Sequence, residues 1–507
     1  MSRQGKLFDR AAQTFHFPGI GSWLPVFLCL LIGIARAQDK PAAASSEKTF
    51  RAGASTSNIT LPIGARNGGV ISRGGIVKTV HDELHARCLV LDDGTTQIGI
   101  AVCDLRMINR ETMERAKAIV AESTGIPADH LLISATHTHG APGVIGLHSD
   151  KVDQWYREFL VTRIADGLRR AHANLAPAKV GWGAGSNPDQ IFNRRWFMTE
   201  GKVGPNPFGE ENDTVRMNPP RASKDLIKPA GPIDPELSIL SVQHAEGRPL
   251  ALLANYGVHY IGGYVGNHLS ADYFGMFSER LQQDLRTETN APPFVAMMSN
   301  GTSGDTNNNN FRQPRIKREP WQQMKTVADE LAVEALRVYR EIEHRSDLTL
   351  NVATVDLNLS VRKPDSERIA WAEKTLIPPA DGDVKKINPR AVIYAQEALE
   401  LKEFPEQVPV KLQAIRIGKL GIVAIPCEVF AETGLAIKKQ SAQLLPGIER
   451  SFVIELGNGY NGYLPTKQQH EWGGYETWPA RSSYLEVTAE SKIRESVMEL
   501  LREVAAD

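Results

Sequence analysis

Residues 131–143 read Leu-Leu-Ile-Ser-Ala-Thr-His-Thr-His-Gly-Ala-Pro-Gly. The first five, Leu131–Ala135, form a short apolar run that predicts a buried β-strand. His137 and His139 follow directly, in the position where α/β proteins carry functional loops. In extended backbone geometry the two imidazoles point to the same side. The stretch therefore predicts a strand that delivers two histidines to one site, although a lone His-x-His pair also occurs on strands that face solvent.

Short apolar runs alternate with amphipathic segments along the rest of the chain. They predict strands at 88–92, 98–102, 239–242, 250–254, 294–297 and between 410 and 425, and helices at 109–122, 152–173, 321–343 and 488–504. Asp93-Gly94 predicts a hairpin turn. Residues 193–232 have little periodicity, and a long irregular segment of this kind is more often a functional loop than a linker. A charged, Pro-rich insert lies at 363–406. The pattern predicts an α/β fold, with mixed β-sheets flanked by helices in a single large catalytic domain with long inserted loops.

Composition excludes several classes of protein. The 507 residues include 58 Lys and Arg and 59 Asp and Glu, for a formal net charge of -1. No basic excess is present to bind a phosphate backbone, so nucleic acid is not an expected partner. Hydrophobic residues make up 42% of the chain, which predicts a globular protein with a sizeable core. Only 4 cysteines are present, too few for a disulfide framework.

The N-terminus has the pattern of a secretory signal peptide. Arg3, Lys6 and Arg10 precede an apolar run at 23–32, and Ala35-Arg36-Ala37 supplies a small-residue cleavage pattern. The run is shorter than the roughly 20 residues that span a bilayer, so export with cleavage after Ala37 is favoured over an uncleaved anchor. We expect a signal peptide at 1–37, a flexible leader at 38–49 and a folded domain at 50–507, with no stable membrane span after cleavage.

Two further segments carry polar residues after apolar runs. His259 ends the run that begins at Leu253, and Asp272 follows it closely. Residues 298–309 read Met-Ser-Asn-Gly-Thr-Ser-Gly-Asp-Thr-Asn-Asn-Asn after a predicted strand. A single histidine after a strand is more often a packing residue, and a small polar loop is often a surface turn. Two histidine-bearing strand ends in one chain raise the expectation of a shared metal site.

These motifs together resemble the neutral/alkaline ceramidase family, zinc amidases that cleave the N-acyl bond of ceramide. The resemblance rests on residues 134–143, 255–259, 426–428, 460–466 and 475–476, which stand in the family's order. It implies a zinc ion, Zn²⁺, as cofactor. It also implies the metal ligands His137, His259, Glu428 and Tyr463.

The resemblance also implies roles for residues around the metal. The second histidine, His139, matches a position that contacts substrate, and Tyr475 matches a tyrosine thought to steady the oxyanion. Arg194 and Arg195 resemble a segment on the substrate side, and Asp272 matches a further substrate-side position less closely.

The chain departs from the family pattern at one catalytic position. Aligning Gly304-Asp305 with the family's Gly-Asp places Asn307 where the family has a catalytic serine. An amide cannot act as an alkoxide nucleophile, so three alternatives arise: a zinc-activated water attacks, Ser303 or Thr306 substitutes, or the chemistry differs. We favour water, with Asp305 and Asn307 as positioning groups.

The expected activity is that of an exported zinc-dependent hydrolase acting on a small-molecule or lipid amide. The chain ends after its last predicted helix, where full-length ceramidases carry a further domain, so ceramide itself is one of several candidate substrates. Another zinc hydrolase, acting on a soluble amide, ester or sugar-linked substrate, is the first alternative. A non-catalytic binding protein on the same scaffold is the second, and Asn307 is its only support.

Overall fold

Two β-sheets pack face to face in the computed structural model, and helices cover their outer faces. The structure describes residues 49–66, 75–142, 144–145, 154–264, 267–286, 293–378 and 388–506. The apolar run at 23–32 and residues 38–48 of the leader predicted at 38–49 lie outside these residues, so the signal peptide and the domain boundaries remain predictions.

The strands of the described residues are β1 Arg51–Asn58, β2 Thr79–Val80, β3 His85–Asp92, β4 Gln97–Cys103, β5 Leu131–Ala135, β6 Ala176–Ser186, β7 Phe192–Asn193, β8 Arg195–Met198, β9 Val215–Met217, β10 Leu226–Pro229, β11 Glu236–His244, β12 Pro249–Tyr256, β13 His268–Leu269, β14 Val295–Asn300, β15 Thr306–Asn307, β16 Leu350–Ser360, β17 Gln407–Ile417, β18 Leu420–Ile425, β19 Glu428–Val429, β20 Arg450–Glu455 and β21 Tyr463–Leu464. The α-helices are α1 Arg110–Thr124, α2 Gln154–Ala173, α3 Asp272–Asp284, α4 Gln322–Glu341, α5 Ser366–Leu376, α6 Pro389–Lys402, α7 Ala431–Leu444, α8 Lys467–Trp472 and α9 Ala489–Ala505.

The larger sheet has eight strands in the order β14-β12-β11-β6-β1-β3-β4-β5. Its two edge pairs, β4 with β5 and β12 with β14, are parallel, and the pairs between them are antiparallel. The smaller sheet has the order β16-β17-β18-β20, with β18 and β20 parallel. The predicted mixed sheets flanked by helices are thus confirmed.

The core lies in three layers around these sheets. Between the sheets, Leu89 and Ile100 of the larger one belong to the same buried cluster as Ile415 and Phe452 of the smaller. On the outer face of the larger sheet, α2 packs over β1 and β3, while α3 and α4 pack over β14 and β11. Helices α7 and α9 cover the smaller sheet. The result is a helix–sheet–sheet–helix sandwich, stabilised mainly by burial of apolar surface.

Local chemistry explains where the predicted elements end. Helix α1, predicted at 109–122, runs to Thr124 because Gly125 takes a left-handed conformation at φ 80° and stops it. The Asp93-Gly94 turn is present, and Gly94 has φ 81°. In the part of the chain that the structure describes, every helix is too short or too polar to cross a membrane.

Two segments without clear sequence periodicity contain regular elements. Residues 193–232 contain the three-stranded sheet β10-β8-β9, whose strands are too short to produce a periodic signal. The insert at 363–406 contains α5 and α6, which pack on each other at the surface. Only Ala372 of α5 is buried, so this helix has almost no apolar stripe for a sequence pattern to show.

Phe452 tests the core between the two sheets. Because its ring is fully buried there, we expect Phe452→Ala to lower the free energy of unfolding by about 3–5 kcal/mol. Urea denaturation followed by tryptophan fluorescence measures the change. Val333→Ala on α4 is the control, because Val333 is 60% exposed and its loss should change stability by less than about 0.5 kcal/mol. Equal effects of the two substitutions would contradict the assigned core.

Candidate metal centre and active site

Four strand ends from both sheets meet at one place. The segments after β5, β12 and β14 leave the larger sheet there, and the segment after β18 leaves the smaller one. The sheets are joined at this end, because the backbone N–H of Asn458 donates to Ile133 at 2.8 Å and Ser134 bridges to Gly457. Ligands in α/β proteins commonly bind at the carboxyl ends of strands. This junction therefore brings together side chains that are far apart in sequence.

His137, His259 and Glu428 converge at the junction. The Nε2 atoms of His137 and His259 are 3.0 Å apart. One carboxylate oxygen of Glu428, Oε2, lies 3.4 Å from Nε2 of His137 and 3.7 Å from Nε2 of His259. All three residues are about 2% exposed. Three potential metal ligands from three separate segments thus face one buried point.

The hydrogen bonds behind the imidazoles set which nitrogen faces inward. Nδ1 of His137 lies 2.8 Å from the carbonyl oxygen of Arg106, and Nδ1 of His259 lies 3.2 Å from that of Ser303. A carbonyl only accepts, so each Nδ1 carries the proton and each Nε2 presents a lone pair. Two lone pairs that face each other repel, and a cation between them removes the repulsion.

The surroundings of the Glu428 carboxylate show whether a metal ion fits this site. Its Oε2 is buried and has no hydrogen-bond partner in the described part of the chain, whereas its Oε1 accepts from the Tyr460 hydroxyl at 3.0 Å. An unpaired buried carboxylate oxygen is costly unless a cation neutralises it. Tetrahedral zinc with bonds of about 2.0–2.2 Å places its ligand atoms about 3.2–3.6 Å apart, close to the separations seen here. The residues fit a zinc-sized cation.

Tyr463 lies beside Glu428 because β19 and β21 pair in parallel with these two residues opposite each other. Burial tends to raise the pKa of Glu428, but His137, Arg194 and the Tyr463 hydroxyl outweigh it and lower that pKa overall. Burial raises the pKa of Tyr463 well above its usual range. The carboxylate thus stays ionised, as a metal ligand requires.

His139 is a second candidate ligand. Its Nε2 lies 3.3 Å from Nε2 of His137, and His137, His139 and His259 form a group close enough to hold a metal ion. It is the one partly exposed member of that group, and its ring stacks on Tyr260 with centroids 3.8 Å apart. Burial, with His137 and the nearby arginines, lowers the pKa of His139 well below its usual value.

The backbone at the two histidines differs from the extended geometry expected from the sequence. Strand β5 ends at Ala135, and His137 has a positive φ of 70°, which non-glycine residues rarely adopt. The expected convergence of His137 and His139 is found, but a left-handed turn produces it. Such strain persists where the surrounding structure over-determines it, often at functional sites.

Residues 50–319 match the family model described as "Neutral/alkaline non-lysosomal ceramidase, N-terminal". The chain belongs to this family. Among curated proteins it is 24% identical over 281 residues to "Neutral ceramidase A" of Dictyostelium discoideum and 22% identical over 450 residues to "Neutral ceramidase" of Pseudomonas aeruginosa. These matches cover 52% and 78% of this chain, but only 37% and 64% of the two relatives.

Solved structures of the family share the fold. The crystal structure of neutral ceramidase from Pseudomonas aeruginosa matches with a TM-score of 0.66 at 17% identity, over 91% of this chain and 75% of that one. A structure described as "Ceramidase complexed with C2" matches with a TM-score of 0.65 at 17% identity, over 90% of this chain and 75% of that one. The family resemblance read from the motifs is confirmed.

In this ceramidase-family chain, two buried arginines hold the turn that carries Tyr475. Nε of Arg194 donates to Glu476 at 2.9 Å, and Nη1 of Arg195 donates to the other oxygen of Glu476 at 2.6 Å. The ring of Tyr475 is thereby placed 5.8 Å from that of Tyr463, centroid to centroid. Arg194 also lies over the Tyr463 ring at 5.5 Å. Arg194 thus reaches the metal site.

Arg195 is fully buried, and its other donors bond to the Gln469 side chain and to the carbonyls of Gln469 and Gly473. These acceptors and Glu476 take up its guanidinium donors, so its placement is that of a positioning residue.

Asp305 and Asn307 lie in the loop after β14 and organise its backbone. Asp305 is fully buried and accepts from the backbone N–H of Ala431 at 2.8 Å and from Asn193 at 2.7 Å. Asn307 donates to Asn218 at 2.8 Å and accepts from the backbone N–H of Asn309. These contacts suit the positioning role expected of both residues.

The two hydroxyls proposed as substitutes for the family serine are engaged elsewhere. The Ser303 hydroxyl donates to Glu455 at 2.5 Å and lies 3.4 Å from Nδ1 of His259, behind the ring rather than on its inward face. The Thr306 hydroxyl donates to the Gly257 carbonyl at 2.6 Å. Neither is presented as a nucleophile.

Asp272 holds the loop that carries Tyr260 and Tyr264. Its carboxylate accepts from the backbone N–H groups of Ile261 at 3.1 Å and Gly262 at 3.0 Å, and from the Tyr264 hydroxyl. Asp272 is fully buried, and burial raises its pKa against those hydrogen bonds. Asp272 therefore positions the loop that carries these tyrosines, and its own contact with substrate stays a prediction.

Sequence analysis missed Glu455, which fixes the loop behind His259. This fully buried carboxylate accepts from the Ser303 hydroxyl, from the Ser303 backbone N–H at 3.1 Å and from the Val429 backbone N–H at 2.9 Å. Its signal was an acidic residue ending an apolar strand, Ser-Phe-Val-Ile-Glu at 451–455.

A cavity of about 470 Å³ opens beside Tyr475. Most of its walls are apolar and come from residues of β9, α6 and neighbouring loops: Val203, Pro205, Val215, Met217, Ile393, Tyr394 and Trp478. Asp213, Arg216 and Arg390 add charged groups to the lining. Asn218, the partner of Asn307, also lines it. The metal centre therefore has an apolar recess on one side.

The buried carboxyl group of Asp305 should make the free energy of unfolding depend on pH. Burial raises its pKa from 3.8 to about 6, against the opposing hydrogen bonds. A raised folded-state pKa contributes stability at low pH that is lost as the pH rises through about 6. Relative to Asp305→Asn, wild-type protein should therefore lose about 2 kcal/mol of unfolding free energy between about pH 4.5 and pH 7.

Urea denaturation at both pH values measures this difference. Asp189→Asn, at an exposed aspartate, serves as the control and should track the wild type. A constant difference between wild type and Asp305→Asn would refute the raised pKa.

Proposed function

We propose that the chain is an exported zinc-dependent hydrolase that cleaves the N-acyl amide bond of a ceramide-like lipid. The observation that carries the proposal is the convergence of two inward-facing Nε2 lone pairs on a buried carboxylate oxygen that has no partner among the described residues. Family membership supports an amide-cleaving hydrolase as the class of activity.

The proposed zinc ligands are His137, His259, Glu428 and Tyr463. Glu428 supplies the negative charge that offsets the cation, and Tyr463 stands opposite it in register. His139 is left to face substrate, since it is partly exposed and stacks on Tyr260. When bound, zinc polarises an acyl carbonyl and lowers the pKa of a coordinated water to about 7.

The protein's own groups account for the rest of the proposed chemistry. Tyr475, held in place by Glu476 and the two arginines, is a hydroxyl donor at neutral pH and would donate to the oxyanion that develops on the carbonyl. Arg194 adds a positive charge next to Tyr463. Water is the proposed nucleophile because Ser303 and Thr306 donate their hydroxyl protons to other groups.

The apolar cavity beside Tyr475 supports a lipid-like acyl group. Its volume of about 470 Å³ lies within the range of small-molecule sites. The two curated relatives are named neutral ceramidases, which supports ceramide as the first substrate to test. Another amide, ester or sugar-linked substrate remains the alternative on the same site.

Export is proposed from the N-terminal pattern at 1–37. Intact-mass measurement of protein recovered from a secreting host tests it: a mature chain should begin at Gln38. Retention of residues 1–37 would favour the anchor.

The metal content of the purified protein tests the proposed zinc site. Purified wild-type protein should contain about one zinc per chain, measured by inductively coupled plasma mass spectrometry. Glu428→Gln and the double variant His137→Ala/His259→Ala should lose it, because each removes a proposed ligand.

His139→Ala should keep zinc if His139 faces substrate. Tyr460→Phe is the control, and it should also keep zinc, because it changes a neighbour of Glu428 and leaves every proposed ligand in place. A metal-free wild type would overturn the proposal, and loss of zinc in His139→Ala with retention in Glu428→Gln would assign the three-histidine group instead.

A substrate panel tests the reaction. A fluorogenic N-acyl sphingosine should be hydrolysed faster than short N-acyl amides and the corresponding esters, with activity lost in Glu428→Gln. Preference for the short compounds would favour the soluble-substrate alternative, and no turnover by zinc-loaded protein would favour the binding protein.

Asn307→Ser separates the two candidate nucleophiles. A serine here can still accept from the Asn309 backbone N–H, so the loop should hold. Because water is the proposed nucleophile, we expect no gain in kcat on the best substrate of the panel. Asn310→Ser, three residues along the same loop, is the control. A large gain confined to Asn307→Ser would show that the hydroxyl is the missing catalytic part.

A further inference from the structure

A second cavity, of about 760 Å³, is lined by Tyr260, whose ring stacks on His139, and differs in character from the recess beside Tyr475. Its lining includes four cationic side chains, which are Arg221, Arg315, Lys317 and Arg318. Three of them come from one exposed segment, and Arg221 faces them from a separate loop. Glu319 is the one carboxylate among its lining residues.

Ion pairs do not neutralise the four cations of this basic cavity within the described residues. None of the four pairs with a carboxylate there, although exposed arginines such as Arg115, Arg280 and Arg337 do. Burial together with Arg315 and Arg318 lowers the pKa of Arg221. Like charges held close together without counter-charges repel each other, and an anion bound among them relieves that repulsion.

The cavity is connected to the candidate metal centre through one aromatic ring. Tyr260 lines the cavity, and its ring stacks on His139 at 3.8 Å. Tyr264 continues the wall, parallel to Tyr260 with centroids 6.4 Å apart, and Trp321 follows at 6.1 Å. A ligand in the cavity therefore lies one ring away from a histidine of the metal group.

The wall and floor of the cavity are held in place. Trp321 has φ 68°, a strained conformation for a bulky residue, and its indole stacks on His81 at 3.9 Å. On the floor, Asn308 donates to the Gln190 carbonyl at 2.7 Å and accepts from Gln323 at 2.7 Å. Strain that the surroundings maintain is typical of ligand sites.

The start of helix α4 adds to the positive potential. The helix begins next to the cavity at Gln322, with no side-chain cap at Trp321 and no acidic residue in its first turn. Gln323 of that turn lines the cavity. The unneutralised helix dipole contributes a partial positive charge at this end.

We propose that this basic cavity binds an anionic group on the amine side of the substrate. The inference rests on the proposed hydrolase function and narrows it. An acyl chain in the apolar recess beside Tyr475 and an anionic head in the basic cavity place the amide bond between them, next to His139 and Tyr475. The preferred substrate is then an N-acyl amine that carries a sulfonate, sulfate, phosphate or carboxylate.

Two amides that differ in charge test the proposal. N-hexanoyl taurine and N-hexanoyl ethanolamine share the acyl group and the amide bond, and only the first carries an anion. Wild type should show the lower KM for the taurine amide. The triple variant Arg315→Gln/Lys317→Gln/Arg318→Gln should raise that KM about 10- to 100-fold, as loss of charge-assisted hydrogen bonds does. The ethanolamine amide should be nearly unaffected.

A control variant removes the same charge elsewhere. Arg169→Gln/Lys439→Gln/Arg502→Gln changes three exposed cations on α2, α7 and α9 and should leave both KM values unchanged. Equal KM values for the two amides in wild type, or an equal effect of the two triple variants, would overturn the proposal.

Direct binding separates failure of this inference from failure of the proposed function. If neither these amides nor the N-acyl sphingosine is hydrolysed, the hydrolase proposal fails, while calorimetric titration with N-hexanoyl taurine still tests the cavity. Binding that is lost in the cavity variant and kept in the control supports the anion site. Titration with sodium sulfate tests whether the cavity binds a free anion instead of an anionic substrate. Sulfate binding that is lost in the cavity variant, together with equal KM values for the two amides, would show a site for a free anion and overturn the substrate assignment.

Discussion

The structure depends on one electrostatic constraint: two imidazole lone pairs and a carboxylate oxygen face the same buried point. The Nε2 atoms of His137 and His259 lie 3.0 Å apart, and Oε2 of Glu428 completes the group with no hydrogen-bond donor among the described residues. Such an arrangement is unfavourable in an apolar core unless a cation occupies it. Hydrogen bonds behind the site hold these groups in place. The Arg106 carbonyl fixes the His137 ring, and Glu455 fixes the backbone of Ser303 behind His259.

The neighbouring contacts form two supports around this centre. In the first, Arg194 and Arg195 donate hydrogen bonds to Glu476 and so position Tyr475 next to a mainly apolar recess. In the second, Asp272 holds the loop that carries Tyr260 at the wall of the basic cavity. One cavity near the site is thus mainly apolar and the other is rich in cations, and this difference is the basis for proposing an anionic amide as substrate.

Much of the fold was predictable because its signals are local. The apolar runs that became β5 and β12, and the amphipathic segment that became α4, carry their periodicity in consecutive residues. Helix α5 was missed because it buries little apolar surface, and β8 to β10 because each has at most four residues. In the site, motif resemblance named Glu428 and Tyr463. Glu455 carries a local signal, an acidic residue at the end of an apolar strand, but that signal does not show that it fixes Ser303.

The sequence by itself determined the family, the mixed α/β architecture and the identity of the candidate ligands, because each is encoded in a short motif or a local pattern. Only the tertiary structure decided how those residues meet. A left-handed turn at His137, and not the extended strand expected, aims its ring. The cavities beside Tyr475 and Tyr260 are likewise built by loops distant in sequence. Packing brings such groups together through long-range contacts that no local pattern records.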